Sequence, residues 1–154
     1  MLESFTQIKK VAIFGSVRKH GFEKALRELF AVLNEKSVEI FLDAEVNGFV
    51  IGNSINDLPE FSLLKKEDYA SVDLALSLGG DGTFLRTAYK VGEASIPILG
   101  INLGNLGFLV DVPGDEITTA INEIFSSGFT IEERSVLSLK RSDNEINSVA
   151  LNEI

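Results

Sequence analysis

The sequence predicts an α/β fold in which helices cover both faces of a parallel β-sheet. Apolar, strand-like runs alternate with helical patterns through most of the chain. Two of these runs end in glycine-rich turns, "GGDGT" and "LGNLGFL". With 154 residues, 45% of them hydrophobic, the chain is long enough to bury one substantial core. Because parallel strands need long crossover connections, usually helices, this alternation indicates a parallel sheet.

The first part of the chain reads as strand, helix, strand and loop. "KKVAIFGS" (Lys9–Ser16) is predicted to be a buried strand that a glycine ends. "SVEIFLDAE" (Ser37–Glu45) is predicted to be the second strand, and Val46–Glu60, rich in Gly and Asn, a long loop. Between the strands, apolar residues recur with helical spacing, which predicts an amphipathic helix: Phe22, Leu26, Leu29 and Leu33.

The middle of the chain repeats the pattern. "SVDLALSL" (Ser71–Leu78) and "SIPILGIN" (Ser95–Asn102) are predicted to be strands, each followed by a glycine-rich connection. The helix after the first connection places Phe84, Ala88 and Val91 on one face, and Arg86 with Lys90 on another. A third helix, ended by Gly128, is marked by Ile117, Ala120, Ile121, Ile124 and Phe125. The expected architecture is therefore a Rossmann-like sheet whose carboxyl edge carries both glycine turns, where such sheets bind ligands.

The pattern changes after Gly128. Two strand-like runs flank a polar turn at Ser142–Glu145, which predicts a β-hairpin. The second run is still in strand pattern at Ile154. We therefore expect an α/β domain over residues 1–128 and, over residues 129–154, the first hairpin of a truncated, β-rich C-terminal domain.

Composition limits the classes of partner. The formal charge of −9 argues against nucleic acid and against anionic membrane surfaces, which need basic proteins. The absence of cysteine excludes disulfides and thiolate metal sites. No secretory signal and no membrane-length apolar run is visible, so a cytoplasmic protein is expected.

The turn Gly79-Gly80-Asp81-Gly82-Thr83 is the strongest functional signal. Three glycines in four residues exceed the needs of a plain turn and let a ligand approach the backbone near a helix N-terminus. It is not a P-loop, because the GxxxxGK[ST] spacing and its lysine are missing. Asp81 would repel a bare phosphate, so two roles make chemical sense: holding Mg²⁺, or accepting the proton of a hydroxyl that attacks a phosphoryl group. One helical turn on, Arg86 could neutralise a phosphate or simply be a solvated surface residue.

Three motifs together resemble the NAD kinase family: "GGDGTFLR", "GINLGNLGFL" (Gly100–Leu109) and "LNEI" (Leu151–Ile154). The first motif alone also occurs in diacylglycerol-type lipid kinases and phosphofructokinases. The order of all three makes the resemblance specific. It covers nearly the whole chain and is weakest between Gly15 and Asp68.

The resemblance implies roles for individual residues. Asp81 would accept the proton of the ribose 2′-hydroxyl, with Gly82 beside it. Gly79 and Gly80 would shape a phosphate cradle that Thr83 adjoins. Asn152 and Glu153 would contact the NAD ribose; an amide and a carboxylate together suit a vicinal diol.

The second glycine connection contributes two further candidates. Phe108 could lie against the adenine base, as the resemblance suggests, or pack in the core with Leu106 and Leu109. Asn105, together with Asn102, is expected to hold the loop through side-chain bonds to the backbone. His20, the only histidine, is expected to be a surface residue, although Arg18–Gly21 could line the same edge of the sheet.

The resemblance implies transfer of a phosphoryl group from ATP, or from polyphosphate, to NAD, giving NADP. It implies Mg²⁺ bound through the donor phosphates, with no metal-ligating side chain predicted, and a homo-oligomer. Since only one hairpin of the second domain is expected, this chain alone is predicted to be inactive. The alternatives are a lipid or sugar kinase that uses the same turn, and a non-catalytic nucleotide-sensing module.

Overall fold

The main sheet is parallel, as the sequence predicts, and has six strands. The computed structural model describes residues 7–110, 112–140 and 147–151. The strands follow the order β3-β2-β1-β4-β5-β6, with every neighbouring pair parallel. Their bounds are β1 Lys10–Gly15, β2 Glu39–Leu42, β3 Ser62–Leu63, β4 Leu74–Gly79, β5 Ile98–Asn102 and β6 Val112–Pro113. The chain adds β2 and β3 on one side of β1, and then β4, β5 and β6 on the other side. This reversal of the strand order at β1 and β4 is the arrangement of doubly wound nucleotide-binding sheets.

Helices cover both faces of the sheet. Their bounds are α1 Phe22–Glu35, α2 Ala44–Gly52, α3 Asp81–Val91 and α4 Ile117–Ser127. Side chains alternate along β1, so Val11 and Ile13 face a core shared with α1, α2 and α4. Ala12 and Phe14 face a second core that includes Val91 of α3. The predicted two-sided covering is confirmed.

The predicted loop over Val46–Glu60 is wrong in its first part, because α2 occupies Ala44–Gly52. Asp43 caps this helix by accepting a hydrogen bond from the Glu45 N–H, and Val46 and Val50 are buried one turn apart. Glycine and asparagine lower the helix propensity of this stretch, but burial of two valines outweighs that cost. The short strands β3 and β6, of two residues each, also have no counterpart in the prediction.

Helix α3 buries a different stripe from the predicted one. The sequence analysis places Phe84, Ala88 and Val91 on one face of the helix, whereas the buried residues are Thr83, Thr87 and Val91. The reason is a polar contact across the helix–sheet interface. Thr87 Oγ1 lies 3.0 Å from Ser77 Oγ of β4 and 2.9 Å from the Thr83 carbonyl oxygen. A hydroxyl pair of this kind satisfies buried polar groups that an apolar face would leave unpaired.

The predicted hairpin is confirmed in its two strands. Leu137–Lys140 (β7) pairs antiparallel with Asn147–Ala150 (β8) in a separate two-stranded sheet. The predicted turn at Ser142–Glu145 lies outside the described residues. In the part of the chain that the structure describes, no helix has the length and apolar character needed to cross a membrane.

Candidate functional site

Both glycine-rich connections meet at the carboxyl edge of the sheet, beside the reversal between β1 and β4. Gly79, the last residue of β4, pairs with Asn102, the last residue of β5. The Leu103 N–H donates a 2.8 Å hydrogen bond to the Gly79 carbonyl, so the second connection starts directly beside the first. Crevices at this point of a doubly wound sheet are the usual ligand sites.

The glycines of the first connection differ in the space that a side chain would have at each position. A Cβ on Gly79 would overlap the buried Thr83 side chain, so close packing of β4 against α3 requires glycine there. Gly80 and Gly82 have open space where a side chain would stand. Their backbone is therefore accessible to a ligand at the start of α3, as the prediction requires.

Asp81 is held by the second connection. Its carboxylate accepts hydrogen bonds from the backbone N–H groups of Phe108, at 2.8 Å, and Leu109, at 3.1 Å. A Cβ on Gly107 would overlap the same carboxyl group. The loop thus fixes the orientation of Asp81 with two amides and needs a glycine next to them.

Asn102 organises the second connection from within. Its buried side chain donates to the Asn105 carbonyl at 2.9 Å and accepts from the Gly104 N–H at 2.9 Å. The prediction that Asn102 holds the loop by side-chain bonds to the backbone agrees with this geometry. Asn105 contributes its backbone carbonyl to the same network, and the residue as a whole is exposed.

Phe108 does not pack in the core. Its side chain is 97% exposed, and that of Leu106 is 77% exposed. The core-packing alternative is therefore wrong for Phe108, because its N–H bond to Asp81 places it at the tip of the loop. An exposed phenylalanine beside a carboxylate leaves an aromatic face for a planar ligand.

Arg86 and Lys90 of α3 are both paired with acidic residues at the start of α2. Arg86 Nη1 lies 3.6 Å from Glu45 Oε2, and Lys90 Nζ lies 2.9 Å from Asp43 Oδ2. The Asp43 carboxylate also acts on Tyr69. The pKa of the Tyr69 phenol is raised, mainly by burial and to a smaller extent by the charge of Asp43. Arg86 is therefore partly neutralised and would have to exchange Glu45 for any ligand phosphate.

A cavity of about 460 Å³ lies between the start of α1 and the second connection. The start of α1 lines it together with Asn102–Gly104 and Leu106, and Pro113–Asp115 forms a further wall. His20 is exposed, as predicted, and lies on this cavity. The segment Arg18–Gly21 thus lies at the carboxyl edge.

The predicted ribose contacts, Asn152 and Glu153, lie outside the described residues. Among the residues that the structure does describe, no group of three or more His, Cys, Asp or Glu side chains could hold a metal ion.

The sequence pattern described as the ATP-NAD kinase N-terminal domain matches residues 11–129, which include both glycine connections and Asp81. The chain belongs to this family. Among its relatives, a NAD kinase from Bacteroides fragilis is 38% identical over 147 residues, and one from Porphyromonas gingivalis is 36% identical over 155 residues. These matches cover 94% and 95% of this chain but 50% of each relative. The chain therefore spans about half the length of the curated relatives it matches.

A solved structure supports the NAD kinase fold. The crystal structure of yeast NADH kinase complexed with NADH superposes with a TM-score of 0.76 and 23% sequence identity. The match covers 94% of this chain and 46% of the yeast chain. At this identity the likeness establishes the fold of the NAD kinase domain.

Proposed function

We propose that the protein phosphorylates the adenosine-ribose 2′-hydroxyl of NAD, with ATP as the phosphate donor, and that Asp81 is its catalytic base. The observation that carries this proposal is the Asp81 carboxylate, fixed at the carboxyl edge by the Phe108 and Leu109 amides. Family membership supports the choice of NAD as acceptor. A lipid or sugar kinase is not favoured, because the relatives that the chain matches are NAD kinases.

The chemistry requires one proton transfer and one bond exchange. The ribose 2′-oxygen attacks the terminal phosphorus of ATP, the bond to the bridging oxygen breaks, and ADP leaves. The hydroxyl proton passes to Asp81. Each carboxylate oxygen has about two lone-pair sites, so an oxygen that accepts one amide N–H can still accept the hydroxyl. Positioning of the reacting groups supplies much of the rate enhancement in such transfers. The two amides provide this positioning for the Asp81 carboxylate.

The glycines would hold the reacting phosphate by backbone contact. Gly80 and Gly82 leave open space at the start of α3, where the helix dipole favours negative charge. Gly79 and Thr83 would support this cradle from beneath, since they pack against each other. Arg86 would turn from Glu45 to the phosphate when a ligand is bound.

The acceptor would lie on the Phe108 side of Asp81. The exposed ring would stack on the adenine, and Asn105 would lie at the edge of the same pocket. In this proposal Asn152 and Glu153 bind the ribose diol. Such pairing of an amide with a carboxylate satisfies both the donors and the acceptors of the diol.

The metal would enter with the nucleotide. Mg²⁺ prefers oxygen ligands and keeps substrate phosphates in its shell, so binding through the ATP phosphates needs no protein cluster. When bound, the ion would neutralise charge on the phosphates. We also propose that the protein is cytoplasmic and that it forms a homo-oligomer, the second of which the family resemblance implies.

A substrate panel tests the proposal. The full-length gene product and the 154-residue chain are each incubated with MgATP and either NAD, diacylglycerol or a sugar phosphate, and the products are identified by mass spectrometry. We expect NADP only, formed by the full-length product, and no turnover by the 154-residue chain. Phosphorylation of the lipid or the sugar in preference to NAD would overturn the proposal. Nucleotide binding by calorimetry without any product would favour the sensing module instead.

A further inference from the structure

We propose that Asn102 is a positioning residue for the phosphoryl transfer, which sets the orientation of the Asp81 carboxylate through the loop that joins the two residues. This inference rests on the proposed kinase function and adds a residue to it. The Asp81 carboxylate is bonded to the backbone amides of Phe108 and Leu109. These amides hold the carboxylate in one orientation only while their own loop is fixed, and Asn102 fixes that loop at its start.

Asn102 is anchored in the edge of the sheet. It is the last residue of β5, and it pairs with Gly79 of β4 on one side and with Pro113 of β6 on the other. The bond from the Leu103 N–H to the Gly79 carbonyl continues this pairing by one residue. Asn102 is only 4% exposed, so close packing limits the rotamers of its side chain. A side chain that is fixed in this way can hold a loop in one conformation.

The Asn102 amide uses one acceptor and one donor on the loop. Its Oδ1 accepts from the Gly104 N–H, and its Nδ2 donates to the Asn105 carbonyl, both at 2.9 Å. The first bond is that of an Asx turn, which aspartate and, more weakly, serine can also form. The second bond needs an N–H donor, which aspartate lacks and which the shorter serine cannot replace. The donor bond to Asn105 is therefore the specific contribution of asparagine.

The second glycine connection is bonded at both of its ends. The Asn102 amide holds its start, and the Asp81 carboxylate is bonded to its end. Only Leu106 and Gly107 lie between the two bonded segments, so a shift at the start reaches the amides of the end within two residues. A Cβ on Gly107 would overlap the Asp81 carboxyl group, which shows how closely the loop packs against it. Loss of the donor bond at the start should therefore displace the carboxylate.

Two substitutions remove the donor bond in different ways. Asn102→Ser stays neutral and keeps an oxygen that can accept from the Gly104 N–H, whereas Asn102→Asp keeps the shape of the side chain but has no N–H. Asn102→Asp also buries a charge, so it should cost more stability. If the donor bond is what matters, both variants should lower the kcat of NADP formation by the full-length gene product about tenfold or more. Rates at saturating NAD and ATP measure this.

The matched controls are Asn53→Ser and Asn53→Asp. Asn53 Nδ2 donates a 2.8 Å bond to the Phe49 carbonyl at the end of α2, which is the same type of bond outside the two glycine connections. Since this residue is exposed, both control variants should change kcat less than about twofold. A wild-type kcat in both Asn102 variants would overturn the inference.

A double substitution separates positioning from a general loss of stability. Asn102→Ser is combined with Asp81→Asn, which removes the proposed base. If Asn102 acts through Asp81, adding Asn102→Ser should lower the remaining rate by less than about twofold, because residues that act as a unit are not additive. The same fold loss with and without the Asp81 carboxylate would show that Asn102 only supports the fold, and would overturn the inference.

Hydrogen exchange, measured by NMR on the 154-residue chain, reports on the loop without any reaction. We expect the Phe108 and Leu109 amides to exchange about tenfold or more faster in Asn102→Ser than in the wild type, while exchange within α1 changes little. Unchanged exchange at both amides would overturn the inference and leave the kinase function standing. Faster exchange in a protein whose full-length form makes no NADP would reject the kinase function and retain Asn102 as the residue that orients the Asp81 carboxylate.

Discussion

Asp81 is the first residue of α3, and its carboxylate is bonded to backbone amides 27 and 28 residues further along the chain. A carboxylate in a flexible turn would rotate among several orientations. The Phe108 and Leu109 amides belong to a loop that Asn102 holds in place. They confine the Asp81 carboxylate to one orientation. The turn that looks too anionic for a phosphate site therefore holds its carboxylate in one orientation, next to the uncovered Gly80 and Gly82, as the proposed proton acceptor requires.

Gly107→Ala tests this arrangement, because the new methyl group would displace the Asp81 carboxylate from its two amides. We expect the rate of NADP formation by the full-length protein to fall about 10- to 100-fold, since misplacement by about 1 Å can cost that much. Initial rates at saturating NAD and ATP measure it.

Gly52→Ala is the matched control, because Gly52 has open space where the methyl group would stand. Its rate should equal that of the wild type. A Gly107→Ala protein with wild-type activity would show that the loop does not need to hold Asp81 in this orientation.

The sequence reveals Asp81 but not the amides that hold it. "GGDG" is a local motif, readable from neighbouring residues. The contact with Phe108 and Leu109 depends on β4 and β5 lying side by side, which no spacing along the chain encodes. For the same reason the pairing of Arg86 with Glu45, and of Lys90 with Asp43, was not predicted although Arg86 and Lys90 were correctly placed on one face.

At the scale of elements, α2 is the main departure from the predicted structure. Its sequence, "AEVNGFVIG", mixes apolar residues with Asn and Gly and has no amphipathic period. The helix forms because Asp43 caps it and because Val46 and Val50 reach the core. Tertiary burial therefore decides this element, whereas α1 and α4 follow from apolar periodicity.

Gly48→Ala should stabilise α2. Gly48 is exposed in the helix interior and has open space where the methyl group would stand. Alanine is favoured over glycine by about 0.8–1 kcal/mol in a helix interior, so we expect the free energy of unfolding to rise by roughly that amount. Urea unfolding measures it, and a loss of stability would contradict the helical structure of this stretch.

Lys90→Met should destabilise the contact between α2 and α3. It leaves the buried Asp43 carboxylate with its N-cap bond but without a cationic partner. Since the lysine is partly exposed, we expect a loss of about 1–3 kcal/mol in the free energy of unfolding. The exposed Lys66→Met is the control, and equal, small effects of the two substitutions would show that the pair contributes nothing.

At the scale of the whole molecule, the strand order determines which segments meet at the candidate site. Alternation of strands and helices predicted a parallel sheet, but the sequence leaves the order of the strands open. The observed reversal between β1 and β4 brings the first turn of α1, the turn after β4 and the loop after β5 to one edge. This convergence is why two glycine connections far apart in sequence lie side by side, with Asp81 of the first bonded to the second.

The proposed role of Asp81 as the base is tested by Asp81→Asn in the full-length gene product. The side-chain amide can accept only one of the two backbone N–H bonds, so we expect a stability loss of about 1–2 kcal/mol with the fold retained. Asp57→Asn, at an exposed carboxylate that pairs with Arg27, is the control.

The decisive measurement is the initial rate of NADP formation, combined with the NAD dissociation constant from calorimetry. We predict that Asp81→Asn lowers the rate by about 10²- to 10⁴-fold, the usual contribution of a general base, while NAD affinity changes little. A rate close to that of the wild type, with the fold intact, would contradict the assignment of Asp81 as the proton acceptor.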